Sequence, residues 1–279
     1  AVTLNDKEQL PCNILILAIG HSARDTFHLL DDKNLLMESK PFAVGVRVMH
    51  YQKMIDKEQY QNKIKKAPYK LTYQTKNHRG VYSFCMCPGG YVINSASENN
   101  SLVVNGMSNY LRDSNTANSA IVVTVSKKDY GEGLFAGVKY QQELEKKAYL
   151  KGNGKIPVEY YQDFLNKKIT KKETDFAILG AYTFTDLNDI LPVTISDSIK
   201  EAMIEFNKKI KNFSDSNPLL AGVETRTSSP IKIIRDEKLE SNIKGIYPCG
   251  EGSGYAGGIT SSAIDGIKVA EEIIKKYYY

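Results

Sequence analysis

The sequence predicts an α/β fold that is interrupted by an inserted α+β region. Two apolar runs, residues 13–20 and 245–250, each end at glycine and are too short for a helix core, which is typical of buried parallel strands. Strand and helix patterns fill the long stretch between them. We therefore expect residues 14–18 and 246–249 to be parallel strands of one sheet.

A glycine-rich turn, GEGSGYAGGI at residues 250–259, follows the second apolar run. Glycines let a backbone approach a ligand, and a strand, glycine turn and helix together aim free N–H groups at an anion or a carbonyl oxygen. A tight loop that holds no ligand is the alternative. After the turn, a helix over 259–276 is predicted, with one apolar face made of Ile259, Ala263, Ile267, Ala270 and Ile274.

Residues 247–273, YPCGEGSGYAGGITSSAIDGIKVAEEI, resemble the closing motif of flavoproteins with a glutathione-reductase-like FAD fold. They are most similar to a group called FAD-dependent dehydrogenases, sometimes labelled NAD-utilising dehydrogenases. The resemblance implies that the Glu251 carboxylate binds a ribityl hydroxyl of FAD. It also implies that the backbone of Gly257, Gly258 and Ile259 faces the flavin, where the helix N-terminus would stabilise negative charge.

The first strand ends in Ala18-Ile19-Gly20, which resembles the Ala-Thr-Gly signature of the same flavoproteins, with isoleucine in place of the commoner threonine. The resemblance adds Gly20, Gly250 and Gly254 to the expected cofactor-binding residues. Val2, Thr3 and Leu4 are expected to end a hairpin that feeds this strand, and a short helix is expected to follow His21 and run through Leu30.

A dinucleotide-binding fold needs a G-x-G-x-x-G turn after its first strand, and none precedes Ile14. The family places that turn before the region matched here. We therefore expect the chain to be the C-terminal part of a longer protein, to require the missing N-terminal part as a partner, and to be inactive by itself. An intact protein with a different ligand is the alternative.

The resemblance implies a partial FAD/NAD(P)-binding three-layer fold, with residues 1–43 and 221–279 as a discontinuous FAD-binding domain. Residues 44–220 would form an inserted α+β substrate or cap domain. Within it the patterns predict strands at 42–48, 82–87, 91–96, 102–107 and 119–125, with 82–87 and 91–96 as a hairpin. They also predict helices at 133–149, 158–166 and 196–213, the last with a core-facing stripe of Ile199, Met203, Phe206 and Ile210. A further strand is expected at 231–234.

Few side chains suggest a substrate site. Arg226 is a candidate for holding a carboxylate or carbonyl oxygen of a substrate, and a salt bridge to Glu224 or another acid is the alternative. Three histidines, His21, His50 and His78, are generic proton carriers, and nothing in the sequence pairs them. For His21 a surface or capping role is favoured. No catalytic acid or base is identified.

The four cysteines have neither metal-ligand spacing nor the density of a disulfide scaffold, so no metal site is predicted. Cys85 and Cys87 alternate along a predicted strand and should form a buried pair on one face, with a redox pair as the alternative. Cys249 is expected to serve packing.

Charge and composition argue against nucleic-acid binding and against a membrane partner. The net charge of +5 comes from 37 Lys plus Arg against 32 Asp plus Glu, and the lysines stand in short runs within polar segments. This pattern predicts a solvated lysine-rich surface and not a nucleic-acid interface. No apolar stretch approaches the roughly 20 residues that span a bilayer, so no membrane partner and a cytoplasmic location are expected. The resemblance implies hydride transfer by bound FAD on an unknown small-molecule substrate. An NAD(P)-utilising dehydrogenase on the same fold and a non-catalytic binding domain are the alternatives.

Overall fold

The computed structural model describes residues 1–277 and has a mixed α/β architecture with several sheets. In chain order the strands are β1 (Val2–Leu4), β2 (Glu8–Leu10), β3 (Leu15–Leu17), β4 (Met37–Ser39), β5 (Phe42–Tyr51), β6 (Thr72–Gln74), β7 (Gly80–Cys87), β8 (Gly90–Asn94), β9 (Val104–Ser108), β10 (Thr116–Val125), β11 (Ile156–Tyr160), β12 (Ile178–Leu179), β13 (Tyr182–Phe184), β14 (Leu219–Glu224), β15 (Ile231–Ile233) and β16 (Ile246–Pro248). The α-helices are α1 (Arg24–Asp32), α2 (Gln52–Tyr60), α3 (Lys127–Tyr130), α4 (Ala136–Gly152), α5 (Tyr161–Asn166), α6 (Val193–Lys209) and α7 (Ile259–Tyr277).

The chain forms two compact units. The first contains residues 1–42, 126–139 and the described residues from Ser228 onwards, and the second contains 43–125 and 140–227. These units differ from the predicted domains in two places. The boundary predicted between residues 220 and 221 lies between 227 and 228, because β14 is an inner strand of the large sheet of the second unit. In addition, residues 126–139 belong to the first unit.

The second unit is built on a seven-stranded sheet with the order β13-β11-β14-β5-β10-β7-β6. Helix α6 packs on strands β6, β7 and β10. Its predicted stripe is confirmed as core, since Ile199, Met203 and Phe206 are fully buried and Ile210 nearly so. The predicted helix at 158–166 is wrong in its first half. Ile156–Tyr160 is a strand, paired with both β13 and β14, and the helix begins only at Tyr161.

A separate three-stranded sheet has the order β12-β8-β9. The predicted hairpin of 82–87 with 91–96 is therefore wrong, because β7 pairs with β6 and β10 whereas β8 pairs with β9 and β12. The predicted same-face pair of cysteines is also wrong. The register of β7 against β10 shifts at this point, Cys85 has a φ of 47°, and Cys85 is exposed whereas Cys87 is buried. A β-bulge breaks the alternation on which the prediction rested.

In the first unit, β3 and β16 are parallel neighbours with Leu15 opposite Ile246 and Leu17 opposite Pro248, which confirms the predicted pairing. Val2–Leu4 is the first strand of a hairpin with Glu8–Leu10, so the expectation that it ends one is wrong, whereas the helix expected after His21 is confirmed as α1. Strand β15 pairs antiparallel with β4. Two apolar clusters hold these elements. One includes Leu17, Phe27, Leu35, Val138, Ile231 and Ile233, and the other includes Tyr247, Cys249, Val269 and Ile273.

Helix α7 is confirmed, but the face that packs within the described residues is not the predicted one. Its buried residues are Asp265, Val269 and Ile273. The predicted apolar face lies open, with Ile259 93% and Ile267 60% exposed. The apolar period in the sequence therefore predicted where the helix lies, but it did not predict which face of the helix is buried. Among the described residues no helix is long and apolar enough to cross a membrane.

Candidate functional site

Two glycine turns lie side by side at the carboxyl ends of β3 and β16. Gly20 and Gly250 have φ values of 72° and 76°, a left-handed conformation that glycine adopts without steric cost. The turns are in tight contact, because a Cβ added at Gly252 would lie 2.5 Å from the Gly20 carbonyl oxygen. The carboxyl ends of parallel strands are where open α/β sheets bind ligands.

A buried ion pair anchors the second turn to helix α7. Arg235 binds Asp265 with two hydrogen bonds, Nη2 to Oδ1 at 2.6 Å and Nη1 to Oδ2 at 3.0 Å. Asp265 Oδ2 also accepts the Gly250 N–H at 2.8 Å, and Arg235 Nη1 donates to the Pro248 carbonyl. Burial acts to raise the pKa of Asp265, but the bonds from Arg235 and Gly250 outweigh it and hold the pKa below its ordinary value.

Asp265 and Arg235 were missed by the sequence reasoning. The available signal was an aspartate in the middle of an otherwise apolar helix pattern, where an acid is costly unless it is paired. Arg235 also stacks on the Tyr255 ring, with its guanidinium carbon 3.7 Å from the ring centroid. These contacts fix the conformation at the start of the glycine turn and require no ligand to do so.

The end of the turn is open. A Cβ added at Gly257 meets no atom within 4 Å, and one at Gly258 meets only Ser261 Oγ at 3.9 Å, although both glycines are half-buried. Gly20 is likewise open. Helix α7 begins here with no acidic residue in its first turn, so nothing in that turn neutralises the positive end of the helix dipole. The open glycines and the free helix N-terminus suit the close approach of an electronegative group of a ligand.

Not every predicted cofactor glycine faces this opening. The Gly250 N–H is already used by Asp265. At Gly254, whose φ is 85°, a Cβ would lie 2.8 Å from the Ile231 carbonyl oxygen, so this glycine is required by its turn and by close packing on β15. Ile259 is exposed at the first position of α7.

Glu251, in the second turn, lies against His21 of the first turn. His21 Nδ1 is 3.2 Å from Glu251 Oε2, and the two side chains are 18% and 27% exposed. Nearby, Lys40 Nζ donates to the Gly254 carbonyl at 2.6 Å. Burial, followed by the Lys232 ammonium, lowers the pKa of Lys40 although Glu251 acts in the opposite direction. The structure thus brings together one predicted residue, Glu251, and two polar groups, His21 and Lys40, for which no ligand role was predicted.

Arg226, in the second unit, is engaged by an acid other than the one named in the sequence analysis. Its Nε and Nη2 donate to the fully buried Glu145 carboxylate at 3.0 and 2.9 Å, while Nη1 donates to Ser97 Oγ. Glu145 further accepts hydrogen bonds from Thr225 and Ser101. This geometry is a structural ion pair between α4 and the segment that follows β14, and it uses two of the three guanidinium nitrogens.

Glu224 binds Arg47 instead. Arg47 is fully buried, and its Nε and Nη2 donate to Glu224 at 2.6 and 3.0 Å. The remaining donors reach the Cys85 carbonyl, Asn118 and Asn105. A Cβ at Gly106 would lie 2.4 Å from Arg47 Nη1, which explains a glycine in strand β9. Arg47 therefore joins the two sheets of the second unit.

Two of the histidines named as generic proton carriers, His50 and His78, are not part of the site at the carboxyl ends of β3 and β16. His50 is buried with Nε2 2.6 Å from the Phe213 carbonyl, and burial lowers its pKa to about 4, so it is neutral at pH 7. His78 has a φ of 57° between β6 and β7 and is exposed. Burial raises the pKa of the Cys249 thiol, and Cys249 packs against α7. The expectation that Cys249 serves packing is confirmed.

Comparison with known families gives a match over residues 41–227 to the family described as FAD-dependent protein, C-terminal domain-like. The match covers more than half of the chain. The chain belongs to this family. The matched residues include the whole second unit, and both glycine turns lie outside them.

A protein of Clostridium beijerinckii described as uncharacterized is 46% identical over 289 residues. The alignment covers 99% of this chain and 54% of that protein, so the chain spans about half the length of this relative. The family description names FAD and names no nicotinamide dinucleotide. The flavoprotein class that the sequence predicted is therefore supported at the level of the family.

Proposed function

We propose that this chain is the C-terminal part of an FAD-dependent oxidoreductase, a dehydrogenase that transfers hydride between bound flavin and a small-molecule substrate. The observation that carries the proposal is the open glycine cradle of Gly257 and Gly258 at the start of α7, beside the Glu251 carboxylate and the Gly20 turn. Family membership supports the choice of flavin.

Each part of the cradle has a role that its chemistry suits. Glu251 would accept a hydrogen bond from a ribityl hydroxyl. The N-terminus of α7 would stabilise negative charge on the pyrimidine edge of the flavin. When bound, the isoalloxazine ring supplies the hydride chemistry, and the protein binds and orients it. The Asp265–Arg235 pair keeps the turn in the conformation that presents these groups.

Replacing Glu251 with Ala in the full-length protein tests the assignment. Loss of a charge-assisted hydrogen bond removes roughly 1.5–3 kcal/mol of binding free energy. FAD affinity should fall by about ten- to a hundredfold, measured by titrating apoprotein with FAD and following flavin fluorescence. The matched control is Glu132→Ala, which removes an exposed carboxylate paired with an exposed lysine and should leave affinity unchanged.

Three results would contradict the proposal. Wild-type flavin content and affinity in the Glu251→Ala variant would separate the turn from the cofactor. Release of NAD(P) and no FAD on extraction of the full-length protein would favour the nicotinamide alternative. If the full-length protein binds a flavin that no electron donor reduces, the result would favour the alternative of a non-catalytic binding domain.

The partner that completes the fold is proposed to be the N-terminal part of the same protein. Among the described residues the β3–β16 sheet has only two strands, whereas parallel sheets are normally covered on both faces. The exposed apolar face of α7, with Ile267 60% and Ile274 49% exposed, offers a surface for such a segment. The Clostridium beijerinckii relative is about twice as long as this chain.

Ile267→Lys tests this partner assignment. The substitution should leave the melting temperature of the 279-residue chain unchanged, since the side chain is already exposed. In the full-length protein it would bury an unpaired charge and should cost about 3 kcal/mol or more. Leu150→Lys, at an equally exposed position in α4, is the control. Equal effects of the two substitutions in the full-length protein would contradict the assignment.

A further inference from the structure

The His21–Glu251 contact is built into the fold. Each of the two residues directly follows a left-handed glycine, Gly20 or Gly250, at the end of a parallel strand. The two turns pack so closely that Gly252 has no room for a side chain beside Gly20. The position of the imidazole against the carboxylate is therefore set by backbone that has little freedom to move.

The chemistry of the pair assigns the donor. The His21 Nδ1 atom lies 3.2 Å from Glu251 Oε2, and because a carboxylate only accepts hydrogen bonds, a bond between the two requires the hydrogen on Nδ1. The other carboxylate oxygen, Oε1, has no hydrogen-bond partner within residues 1–277. The Glu251 side chain is 27% exposed, so a ligand can reach it.

We propose that His21 is a positioning residue for the cofactor site: its Nδ1–H holds Glu251 so that the second carboxylate oxygen meets a hydroxyl of the ligand. The inference rests on the proposed function, because it concerns the same carboxylate and the same flavin. It differs from the surface or capping role favoured by sequence, in which the imidazole would have no effect on a ligand. A positioned carboxylate loses less side-chain entropy on binding, which raises affinity.

The test compares three substitutions of His21 in the full-length protein. Asparagine places an amide N–H where histidine has Nδ1, whereas glutamine places it near Nε2, and alanine has none. FAD affinity, measured by titration of apoprotein, should fall about tenfold in His21→Ala and His21→Gln and stay within about threefold of wild type in His21→Asn. An equal loss in all three variants would overturn the proposal.

Coupling to Glu251 separates positioning from a general loss of structure. In the Glu251→Ala background, His21→Ala should cause no further loss of affinity, because the group it positions is gone. An additional tenfold loss in that background would overturn the proposal. If wild-type protein binds no FAD at all, the proposed function and this inference both fall. Normal binding by every His21 variant, with the Glu251→Ala defect intact, removes only the inference.

A second measurement needs no cofactor. Nitrogen NMR of the imidazole in the 279-residue chain should show His21 with the hydrogen on Nδ1 in its neutral form. In Glu251→Ala this preference should disappear. A dominant Nε2–H tautomer in the wild-type chain would overturn the proposal.

Discussion

Gly252→Ala is the most direct test of how the two glycine turns are joined. The added Cβ would lie 2.5 Å from the oxygen and 2.7 Å from the carbon and nitrogen of Gly20. All three are backbone atoms, so no side chain can rotate away. Ordinary contact begins near 3.4 Å, so the turns would have to separate by almost 1 Å. Overpacking of this kind costs about 1–3 kcal/mol, and we expect the upper half of that range.

The assay is thermal unfolding of the 279-residue chain, followed by calorimetry. A loss of about 2 kcal/mol corresponds to a fall in Tm of about 4–8 °C for a chain of this size. Gly257→Ala is the matched variant, because its Cβ meets nothing within 4 Å and its Tm should stay within about 1 °C of wild type.

In the full-length protein, the effect of Gly257→Ala on FAD binding tests the proposed glycine cradle. Gly257→Ala should weaken FAD binding by about fivefold or more while the apoprotein keeps its stability, because the methyl group occupies space that the proposal assigns to the flavin. The reasoning is refuted if Gly252→Ala is as stable as wild type, or if Gly257→Ala destabilises the chain and binds FAD normally.

Two further predictions concern buried acids of the second unit. Burial raises the pKa of Glu159 to about 8, so the folded state retains a proton that the unfolded state releases, and stability should fall by up to about 5 kcal/mol as the pH rises from 4.5 to 8. Glu159→Gln should remove this slope in urea unfolding at pH 5.5 and 8.5, and parallel pH profiles would contradict the assignment. Glu145→Ala should cost about 3–5 kcal/mol because it strands the Arg226 guanidinium, whereas Glu98→Ala, which removes a carboxylate 3.6 Å from Arg226 and 32% exposed, should cost under about 1 kcal/mol. Equal costs in urea unfolding would show that the Glu145 pair is not the stabilising one.

Local patterns in the sequence were sufficient for much of the fold. The β3–β16 parallel pair and helix α7 follow from apolar runs that end at glycine and from a helical period. The same is true of the buried stripe of α6. These features depend on residues close together in the chain, where backbone conformation and side-chain direction are set by near neighbours.

Partner choice was decided by tertiary structure. Sequence reasoning offered Glu224 as one acid for Arg226, yet Arg226 binds Glu145 and Glu224 binds Arg47. The residues of each pair are far apart in the chain, and no spacing rule connects them. The same limit explains why the predicted hairpin of residues 82–87 with 91–96 was wrong, because β7 and β8 pair with strands of different sheets.

The candidate site also has some features that the sequence determines and others that depend on tertiary structure. The sequence by itself determined that a glycine turn with an acid lies between a strand and a helix, because glycine and charge are visible one residue at a time. Only the tertiary structure decided that His21 lies against Glu251, that Asp265 and Arg235 anchor the turn, and that Gly254 serves packing while Gly257 stays open. Those roles depend on distances between separate strands and a helix, which the folded backbone alone fixes.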